Sequence, residues 1–514
     1  MMKNFIYTIT ALLTVNIAFA QLNPEPKKVT KLFFPEDESV ENVTPALKKK
    51  RGFTDYDELI SFLKEQQNQH SDLVSIDYIG KSQKGYDIPI VYIKSNQGSK
   101  NKLKVWYQGA LHGNEMATTE SMLYIIYKLL NDDSLQYLYD KLDLAIVPMA
   151  NIDGYLKSDR YSANGIDLNR DQTKLMAPET LVLKQRFSDY APEVALDFHE
   201  YNPYRRDFAK MGDFGITSAY DAMFLYSSNL NVPENIRSLT DTLFVDDARA
   251  ALDEHKYRHE DYMSTGDYFG EIHFNKGGSS ARSSANSYAL ANSISSVIEV
   301  RGIRLGRTSF KRRINITYTI GISFLKTASE HVDLVKQTLK EAQSMRQKIA
   351  VKTAKRVYED TIKVIDLDSY KLIDLPVTIR DAKGATATLT RKQPEAYILS
   401  KDLGFLVEKL KILGLEVETL EQDETLSVEA YKVTEFNRDE TKYEKMNLQT
   451  VTTEIQAKQI AFPKGSFRVS THQKNAPLLF EVLEPERPNS FISFGVLETD
   501  LNQELPLYRL PSTN

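Results

Sequence analysis

A histidine and a glutamate three residues apart are the first side chains in the sequence that could hold a metal ion. His112 and Glu115 end the stretch Gln-Gly-Ala-Leu-His-Gly-Asn-Glu, which follows an apolar run at 103–107 and precedes a helical pattern at 118–130. This order predicts a turn at the carboxyl end of a strand, where open α/β sheets place their sites. The two ligand types suit zinc when a third ligand and an open position complete the site, but the pair alone often occurs by chance.

Two later strand patterns contain polar residues that could join this site. His199 follows the predicted strand at 194–198, and Glu299 interrupts an apolar strand at 295–300. A histidine at a strand end is more often structural than metal-binding, whereas a carboxylate in a buried strand is costly unless it has a partner or a task. The sequence contains no cysteine, so any metal site has to use histidine and carboxylate ligands.

A polar loop between these elements contains the remaining candidates. Asn164 begins the run Asn-Gly-Ile-Asp-Leu-Asn-Arg, which contains Asp167, Asn169 and Arg170 after a pair typical of a tight turn. A solvated loop is the simplest interpretation of this run. Surface ion pairs are likewise the simplest interpretation of Arg170 and of Arg160 when each is taken alone.

Together, the four motifs resemble the zinc carboxypeptidase family, also called funnelins, over about residues 54–330. The resemblance implies that His112, Glu115 and His199 hold one zinc ion per chain. It also implies that Glu299 is the catalytic glutamate, acting as general base on a water molecule. Four separated motifs in the family's order make this match far more specific than any one of them.

The same resemblance assigns roles to the residues of the polar loop. Asn169 and Arg170 look like the pair that grips the terminal carboxylate of the substrate. Asp167 looks like the carboxylate that orients the first zinc-binding histidine, which needs its second ring N–H held. Arg160 resembles the arginine that stabilises the oxyanion.

The family's mobile substrate-binding tyrosine has two candidates in this sequence. Tyr288 is taken as this residue, and Tyr268 is the alternative. Tyr288 lies only eleven residues before Glu299, nearer than the family's usual spacing. The sequence therefore does not determine how the site closes over a substrate.

Three features suggest a branch of the family. Asn114 in the ligand loop resembles the regulatory branch, since digestive members have arginine there. The 87 residues between the two histidine ligands resemble compact bacterial members. The segment from 391–397 to 482–485 resembles the C-terminal extension of large bacterial members, so the chain is identified as a large secreted bacterial member of the family.

The order of the predicted elements indicates an α/β fold with several parts. Alternating strands and helices over 53–330 predict a mixed, largely parallel sheet flanked by helices, as in carboxypeptidases. A loosely packed lead-in segment, rich in proline and lysine, is expected at 21–52. One long amphipathic linker helix is expected at 331–358, followed by a smaller accessory α/β domain at 360–514.

The first twenty residues predict a cleavable signal peptide. Lys3 gives a positive start, residues 5–19 are mostly apolar, and Ala-Phe-Ala at 18–20 fits the rule for cleavage after residue 20. Residue 21 is Gln and not Cys, which excludes a lipid-anchored N-terminal cysteine. No later segment is long and apolar enough to span a bilayer. We therefore expect a secreted or periplasmic protein without a stable membrane anchor.

The composition excludes some partners. The formal net charge is −5, and removal of Lys3 with the signal segment makes it −6. A surface with mixed charges of this kind has no long-range attraction to nucleic acid. The hydrophobic fraction of 41% allows an ordinary globular core.

The expected function is that of a zinc carboxypeptidase that hydrolyses C-terminal peptide bonds of peptides or proteins. Two alternatives stay open at this point. One is a zinc amidase or endopeptidase acting on cell-wall peptides or small N-acyl amino acids. The other is an inactive binding module, which is disfavoured because all catalytic and ligand positions hold competent residues. Side-chain preference, the role of the C-terminal domain and the oligomeric state are not predicted.

Overall fold

The computed structural model of the protein describes residues 25–96 and 98–512. The predicted signal peptide and its cleavage site lie outside the described residues. None of the helices in these ranges is both long and apolar enough to cross a bilayer. Twelve α-helices form within these ranges, and they are α1 Lys27–Phe33, α2 Tyr56–Gln69, α3 Met116–Asn131, α4 Ile152–Tyr155, α5 Pro178–Tyr190, α6 Glu234–Leu239, α7 Asp246–Glu254, α8 Ser284–Leu290, α9 Phe310–Glu330, α10 Val332–Ser344, α11 Gly404–Ile412 and α12 Ala476–Leu483.

The strands of the described ranges form three sheets. They are β1 Val74–Lys81, β2 Asp87–Ile93, β3 Leu103–Gly109, β4 Leu142–Val147, β5 Val194–Tyr201, β6 Ile216–Ser218, β7 Ala222–Tyr226, β8 His259–Asp261, β9 Met263–Tyr268, β10 Glu271–Lys276, β11 Ile294–Arg301, β12 Ile349–Asp366, β13 Leu372–Arg391, β14 Ala396–Leu399, β15 Glu418–Thr419, β16 Glu424–Tyr443, β17 Met446–Phe462, β18 Phe467–Ser470 and β19 Glu504–Leu510.

The large sheet has eight strands in the order β1-β2-β4-β3-β5-β11-β7-β8. Its four central strands, β4, β3, β5 and β11, run parallel, and antiparallel pairs continue it on both sides. Neighbouring residues of β3 show that helices cover both faces. The Trp106 ring packs on Phe187 of α5, whereas the Tyr107 hydroxyl donates to the Gly321 carbonyl of α9. The predicted fold, a mixed and largely parallel sheet flanked by helices, is confirmed.

Two further sheets complete the molecule. The small sheet has the order β6-β12-β13-β10-β9, and the C-terminal sheet has the order β15-β18-β14-β19-β16-β17. All recorded pairings in the C-terminal sheet are antiparallel, and α11 and α12 belong to the same region. The small sheet combines strands from both sides of the boundary predicted near residue 360. The division of the chain at that boundary stays a prediction.

The linker helix predicted over 331–358 is wrong in its second half. The helix α10 ends at Ser344, and β12 begins at Ile349. Residues of β12 pair with β13 from Ile349↔Arg391 to Ile365↔Leu372, so a long hairpin replaces the expected helix. The charged stretch contains β-branched residues that suit a strand, and pairing with a distant segment decides between the two structures.

The lead-in segment is well packed, contrary to the prediction of a loose segment. Val29, Phe34 and Val40 are at most 2% exposed. The buried carboxylate of Glu120 in α3 accepts hydrogen bonds from the Thr44 and Thr54 hydroxyls, and from backbone N–H groups of the lead-in. Proline and lysine content therefore did not indicate looseness here, because the apolar residues between them are buried.

Candidate functional site

The predicted ligand residues meet at the carboxyl ends of three neighbouring strands. His112 lies in the turn between β3 and α3, and Glu115 directly precedes the first residue of α3. His199 and Glu299 lie opposite each other in the parallel pair of β5 and β11. Since β3 pairs with the other edge of β5, four residues from three separate segments share one end of the large sheet.

Three of these side chains form a compact, buried group that could hold a metal ion. Nδ1 of His112 lies 2.7 Å from one carboxylate oxygen of Glu115, and Nδ1 of His199 lies 2.8 Å from the other. The two Nδ1 atoms are 3.0 Å apart. All three side chains are at most 2% exposed. One ligand atom from each residue lies within 4.8 Å of the others.

The second nitrogen of each imidazole faces its own carboxylate. Nε2 of His112 lies 3.0 Å from Asp167, and Nε2 of His199 lies 2.9 Å from Asp197. A carboxylate oxygen accepts hydrogen bonds, so with a cation bound here each Nε2–H can donate to its own carboxylate and each Nδ1 can direct its lone pair at the cation. Two lone pairs and the Glu115 carboxylate then face one another. This donor set suits a small cation, and its two imidazoles and one carboxylate are a combination found in catalytic zinc sites.

The electrostatics of the group favour positive charge among its members. Burial raises the pKa of Glu115, but the adjacent His112 and His199 outweigh this and hold it well below its ordinary value. Burial lowers the pKa of His199, but Asp197 and Glu115 outweigh this and raise it well above its ordinary value. The group therefore keeps its carboxylate ionised and attracts positive charge.

The ligand loop is held by close backbone packing at Gly113. A Cβ atom at this position would lie 2.1 Å from the backbone carbon of Gly154, so a larger residue does not fit without movement of the loop. Asn151, which is fully buried, donates its side-chain N–H to the carbonyls of Leu111 and Arg160 at 3.4 Å. The segment at 151–154, which follows β4, therefore holds the turn that contains His112 in place.

Arg160 and Asp167 form an ion pair beside the histidines. Nη2 of Arg160 lies 2.8 Å from Asp167, and its Nη1 lies 3.3 Å from Nδ1 of His112. Burial raises the pKa of Asp167, but His112 and Arg160 outweigh this and hold it well below its ordinary value. Asp167 therefore stays ionised and binds both neighbours at once.

Asn169 and Arg170 lie in a short 3-10 turn, Leu168–Arg170, which begins after Asp167. The Asp167 carboxylate accepts from the Asn169 backbone N–H at 2.8 Å, and the Asn169 side-chain oxygen accepts from the Ser284 N–H at 2.8 Å. Nη1 of Arg170 donates to the Asn169 carbonyl at 2.8 Å. Among the described residues, no carboxylate pairs with Arg170, so its remaining donors are available to a ligand.

These residues line an open cleft. Glu299 belongs to its wall, and its carboxylate makes no hydrogen bond within the described part of the chain. Burial raises the pKa of Glu299 above its ordinary value. Six of the residues that the sequence indicated line the cleft, namely His112, Glu115, Arg160, Asn169, Arg170 and Glu299.

The structure contradicts the placement of Tyr288 at the substrate site. Tyr288 is only 3% exposed, its ring stacks on Phe187 at 4.0 Å, and its hydroxyl faces Gln108. The orientation of α8 turns this side chain into the core below the sheet. The alternative, Tyr268, stacks on His273 in the β9–β10 hairpin. The tyrosine in the cleft wall, besides the buried Tyr201, is Tyr262.

Sequence reasoning missed Asp197, which faces Nε2 of His199, and two residues of the cleft wall, Tyr262 and Arg205. The position of Asp197 beside His199 could have been predicted, because residues two apart in a strand share a face and Asp197 precedes His199 by two. Nothing in the sequence distinguishes Tyr262 or Arg205 from other loop residues. Their positions depend on the packing of β9, β10 and the loop after β5.

Comparison with known proteins agrees with the site. The sequence pattern described as "Zinc carboxypeptidase" matches residues 59–304. "Carboxypeptidase 2" of Trichophyton equinum is 32% identical to this chain over 441 residues, which cover 84% of this chain and 81% of the relative. The chain belongs to the zinc carboxypeptidase family. "Carboxypeptidase 2" of Trichophyton rubrum is similar to it in the same way, with 31% identity over 441 residues.

As a member of this family, the protein is a metallocarboxypeptidase. A solved structure, carboxypeptidase A from Helicoverpa armigera, is 21% identical with a TM-score of 0.43, and the match covers 55% of this chain and 78% of that one. The fungal match includes part of the region beyond residue 358, because residues 1–358 are 358 of 514 positions and the match covers 84%. The predicted likeness to large bacterial members stays a prediction, since these two relatives are fungal.

Proposed function

We propose that this carboxypeptidase holds one zinc ion at His112, Glu115 and His199, and removes residues from the C-termini of peptides or proteins. The observation that supports the zinc site most strongly is the convergence of two Nδ1 atoms and one carboxylate. Asp167 and Asp197 hold the opposite nitrogens and so fix the direction of both lone pairs.

Two residues of the cleft, together with the metal ion, would carry the chemistry of amide hydrolysis. Zinc bound at the site would act as a Lewis acid, lowering the pKa of a bound water and polarising the carbonyl of the substrate. Glu299 faces the cleft, and its carboxylate has no hydrogen bond to the described residues; it would take the proton of the attacking water and later give it to the leaving amine. Arg160 lies beside the ligand group and stabilises the negative charge that develops on the carbonyl oxygen.

End recognition rests on Asn169 and Arg170. The Arg170 guanidinium lines the cleft without a carboxylate partner among the described residues, and its forked donors match a carboxylate. A free α-carboxylate would complete this arrangement, whereas the middle of a chain has none to offer. The rival class, an amidase or endopeptidase, does not need such a group.

The metal site is tested by the zinc content of four purified proteins. Zinc-reconstituted wild type is expected to contain one zinc per chain, and His112→Ala combined with His199→Ala is expected to contain almost none. Glu299→Gln is expected to retain zinc and fold but to lose about a hundredfold or more of its activity, the usual effect of losing a general base. Glu440→Ala, an exposed residue far along the chain, serves as the control.

Two results would contradict this assignment. Zinc content that survives the double histidine substitution places the metal elsewhere. If Glu299→Gln retains more than about a tenth of wild-type activity, another residue is the base, since loss of a general base costs about a hundredfold or more.

We also propose that the enzyme is exported to the periplasm or the medium after cleavage behind residue 20. This rests on the positive start, the apolar run and the Ala-Phe-Ala sequence at 18–20. Peptide or protein C-termini are then the expected substrates, without nucleic acid or a stable membrane anchor as partners. N-terminal sequencing of the protein recovered from the culture medium or periplasm tests the cleavage position.

A further inference from the structure

A long β-hairpin of the C-terminal sheet extends from that sheet towards the catalytic cleft. Its strands β16 and β17 contain 20 and 17 residues and pair up to Tyr443↔Met446. The neighbouring strand β19 pairs with β16 only between Glu429 and Lys432. Beyond these residues no other described strand pairs with the hairpin, and about ten residues per strand reach about 30 Å. The segment at 492–499 supports the hairpin at Gln449, and the contacts at the tip hold its end.

The turn at the tip has an unusual sequence for its shape. Glu444 and Lys445 connect the strands with φ angles of +46° and +66°. A two-residue turn with both φ angles positive strongly favours Asn and Gly. Glutamate and lysine are unfavourable in this backbone conformation, and such residues cluster at functional positions.

The tip contacts the loop that contains the proposed carboxylate-binding residues. A Glu444 carboxylate oxygen accepts from the Asp167 backbone N–H at 2.8 Å. The Glu444 carbonyl accepts from Lys174 Nζ at 3.4 Å, on the other side of the same loop. The Tyr443 ring packs under the Arg282 guanidinium at 4.9 Å.

Asp167 is the residue through which this contact reaches the site. Its carboxylate holds Nε2 of His112 and accepts from the Asn169 N–H, which begins the turn ending at Arg170. A second element of the C-terminal region supports the loop from behind, because Lys409 Nζ of α11 donates to the carbonyls of Lys174 and Leu175 at 2.8 Å. The loop is thus held between its own domain and the C-terminal region.

We propose that the tip of this hairpin, residues 443–445, is a positioning element of the substrate-carboxylate site. Glu444 fixes the backbone of Asp167 and thereby holds Asn169 and Arg170 in place for the C-terminus of a peptide. This inference rests on the proposed function of Arg170. It assigns the C-terminal region a part in substrate selection rather than in stability alone.

The test uses zinc-loaded, full-length enzyme and matched peptides with a free or an amidated C-terminus. Glu444→Ala is expected to raise KM for the free acid by about three- to tenfold, the effect of losing one hydrogen bond, with kcat within about twofold. The preference for acid over amide should fall by the same factor. Glu444→Gln is expected to retain most of the preference, because its amide oxygen can still accept from the Asp167 N–H. Glu440→Ala, an exposed position on the same hairpin, is the matched control.

A second variant separates this role from folding. Changing Glu444→Asn together with Lys445→Gly provides the preferred pair for this turn, so the melting temperature should stay equal or rise. The acid preference should nevertheless fall as in Glu444→Ala. Hydrogen exchange gives a readout without substrate, since the Asp167 amide should exchange faster in Glu444→Ala and at the wild-type rate in Glu444→Gln.

The outcomes distinguish the two proposals. An unchanged acid preference in Glu444→Ala, with a clear preference in the wild type, overturns the role of the hairpin only. Unchanged exchange at Asp167 overturns it as well. Equal cleavage of acid and amide by the wild-type enzyme contradicts end recognition by Arg170, and the inference about Glu444 falls with it.

Discussion

Each imidazole of the site has a carboxylate at both ring nitrogens. His112 lies between Glu115 and Asp167, and His199 lies between Glu115 and Asp197. The two outer carboxylates are buried, so they select one tautomer and one ring orientation with little competition from water. The ligand types followed from the sequence, but the complete arrangement depends on strands that meet only in the fold.

Asp197 is the residue whose substitution tests this arrangement. Asp197→Asn is expected to lower zinc affinity by about 10- to 100-fold, as for other carboxylates that orient a metal-binding histidine. Competition with a chelator measures the affinity, and circular dichroism checks the fold. Asp189→Asn, an exposed position on α5, is the control. An unchanged zinc affinity in Asp197→Asn would show that this carboxylate does not orient the ligand.

The predicted site residues that the structure brings together share one property, and Tyr288 lacks it. His112, Glu115 and Glu299 lie in or next to strands whose pattern fixes where they end, so their location at one sheet edge could be predicted. Tyr288 was chosen from distance along the chain and the family resemblance. Its direction depends on the rotation of α8, which puts the ring against Phe187 in the core.

At the scale of elements, strand and helix predictions were accurate where local periodicity and packing agree. The strand predicted at 103–107 is β3, and the helix predicted at 118–130 is α3, each within two residues at its ends. The helix predicted at 349–358 was wrong because β12 is stabilised by pairing with β13, a partner that the local pattern does not reveal. The prediction of a loosely packed lead-in was wrong for a similar reason, since the partner of this segment, Glu120, lies in a distant helix.

The loop after Arg170 provides a pH-dependent test of an element. Asp171 is fully buried and accepts from the backbone N–H groups of Met176 and Ala177, just before α5. Burial raises the pKa of Asp171 from 3.8 to about 6. The folded state therefore binds the proton more tightly than the unfolded state. The contribution of Asp171 to the free energy of unfolding is fully present below about pH 4, and it is lost as the pH rises through about 6.

Asp171→Asn removes this titration. A rise of the pKa from 3.8 to about 6 corresponds to roughly 3 kcal/mol in the free energy of unfolding, as an upper limit. Between pH 4 and pH 7, the wild type is expected to lose up to this amount relative to the variant. Urea unfolding of both proteins at several pH values measures the difference. Parallel pH curves for the two proteins would show that Asp171 does not titrate in this range.

At the scale of the whole molecule, buried polar contacts join the peptidase region to the C-terminal region. Glu481 of α12 accepts from the side chains of Asn229 and Asn231 and pairs with Arg487. All of these side chains are buried. The sequence indicated an additional region after 360, but its contacts with the catalytic region join residues about 250 positions apart and leave no local signal.

The central claim, a carboxypeptidase that recognises free C-termini through Arg170, is tested most directly by a double cycle. The measurement is kcat/KM for wild type and Arg170→Ala on matched peptides with free and amidated C-termini. Charge-assisted hydrogen bonds of roughly 1.5–3 kcal/mol correspond to about one to two powers of ten in kcat/KM. The wild type should show this loss on amidation, and Arg170→Ala should show it on the free acid. Amidation should then cost the variant little more, because both changes remove one interaction. Equal rates of the wild type on acid and amide would contradict carboxylate recognition and favour an endopeptidase or amidase.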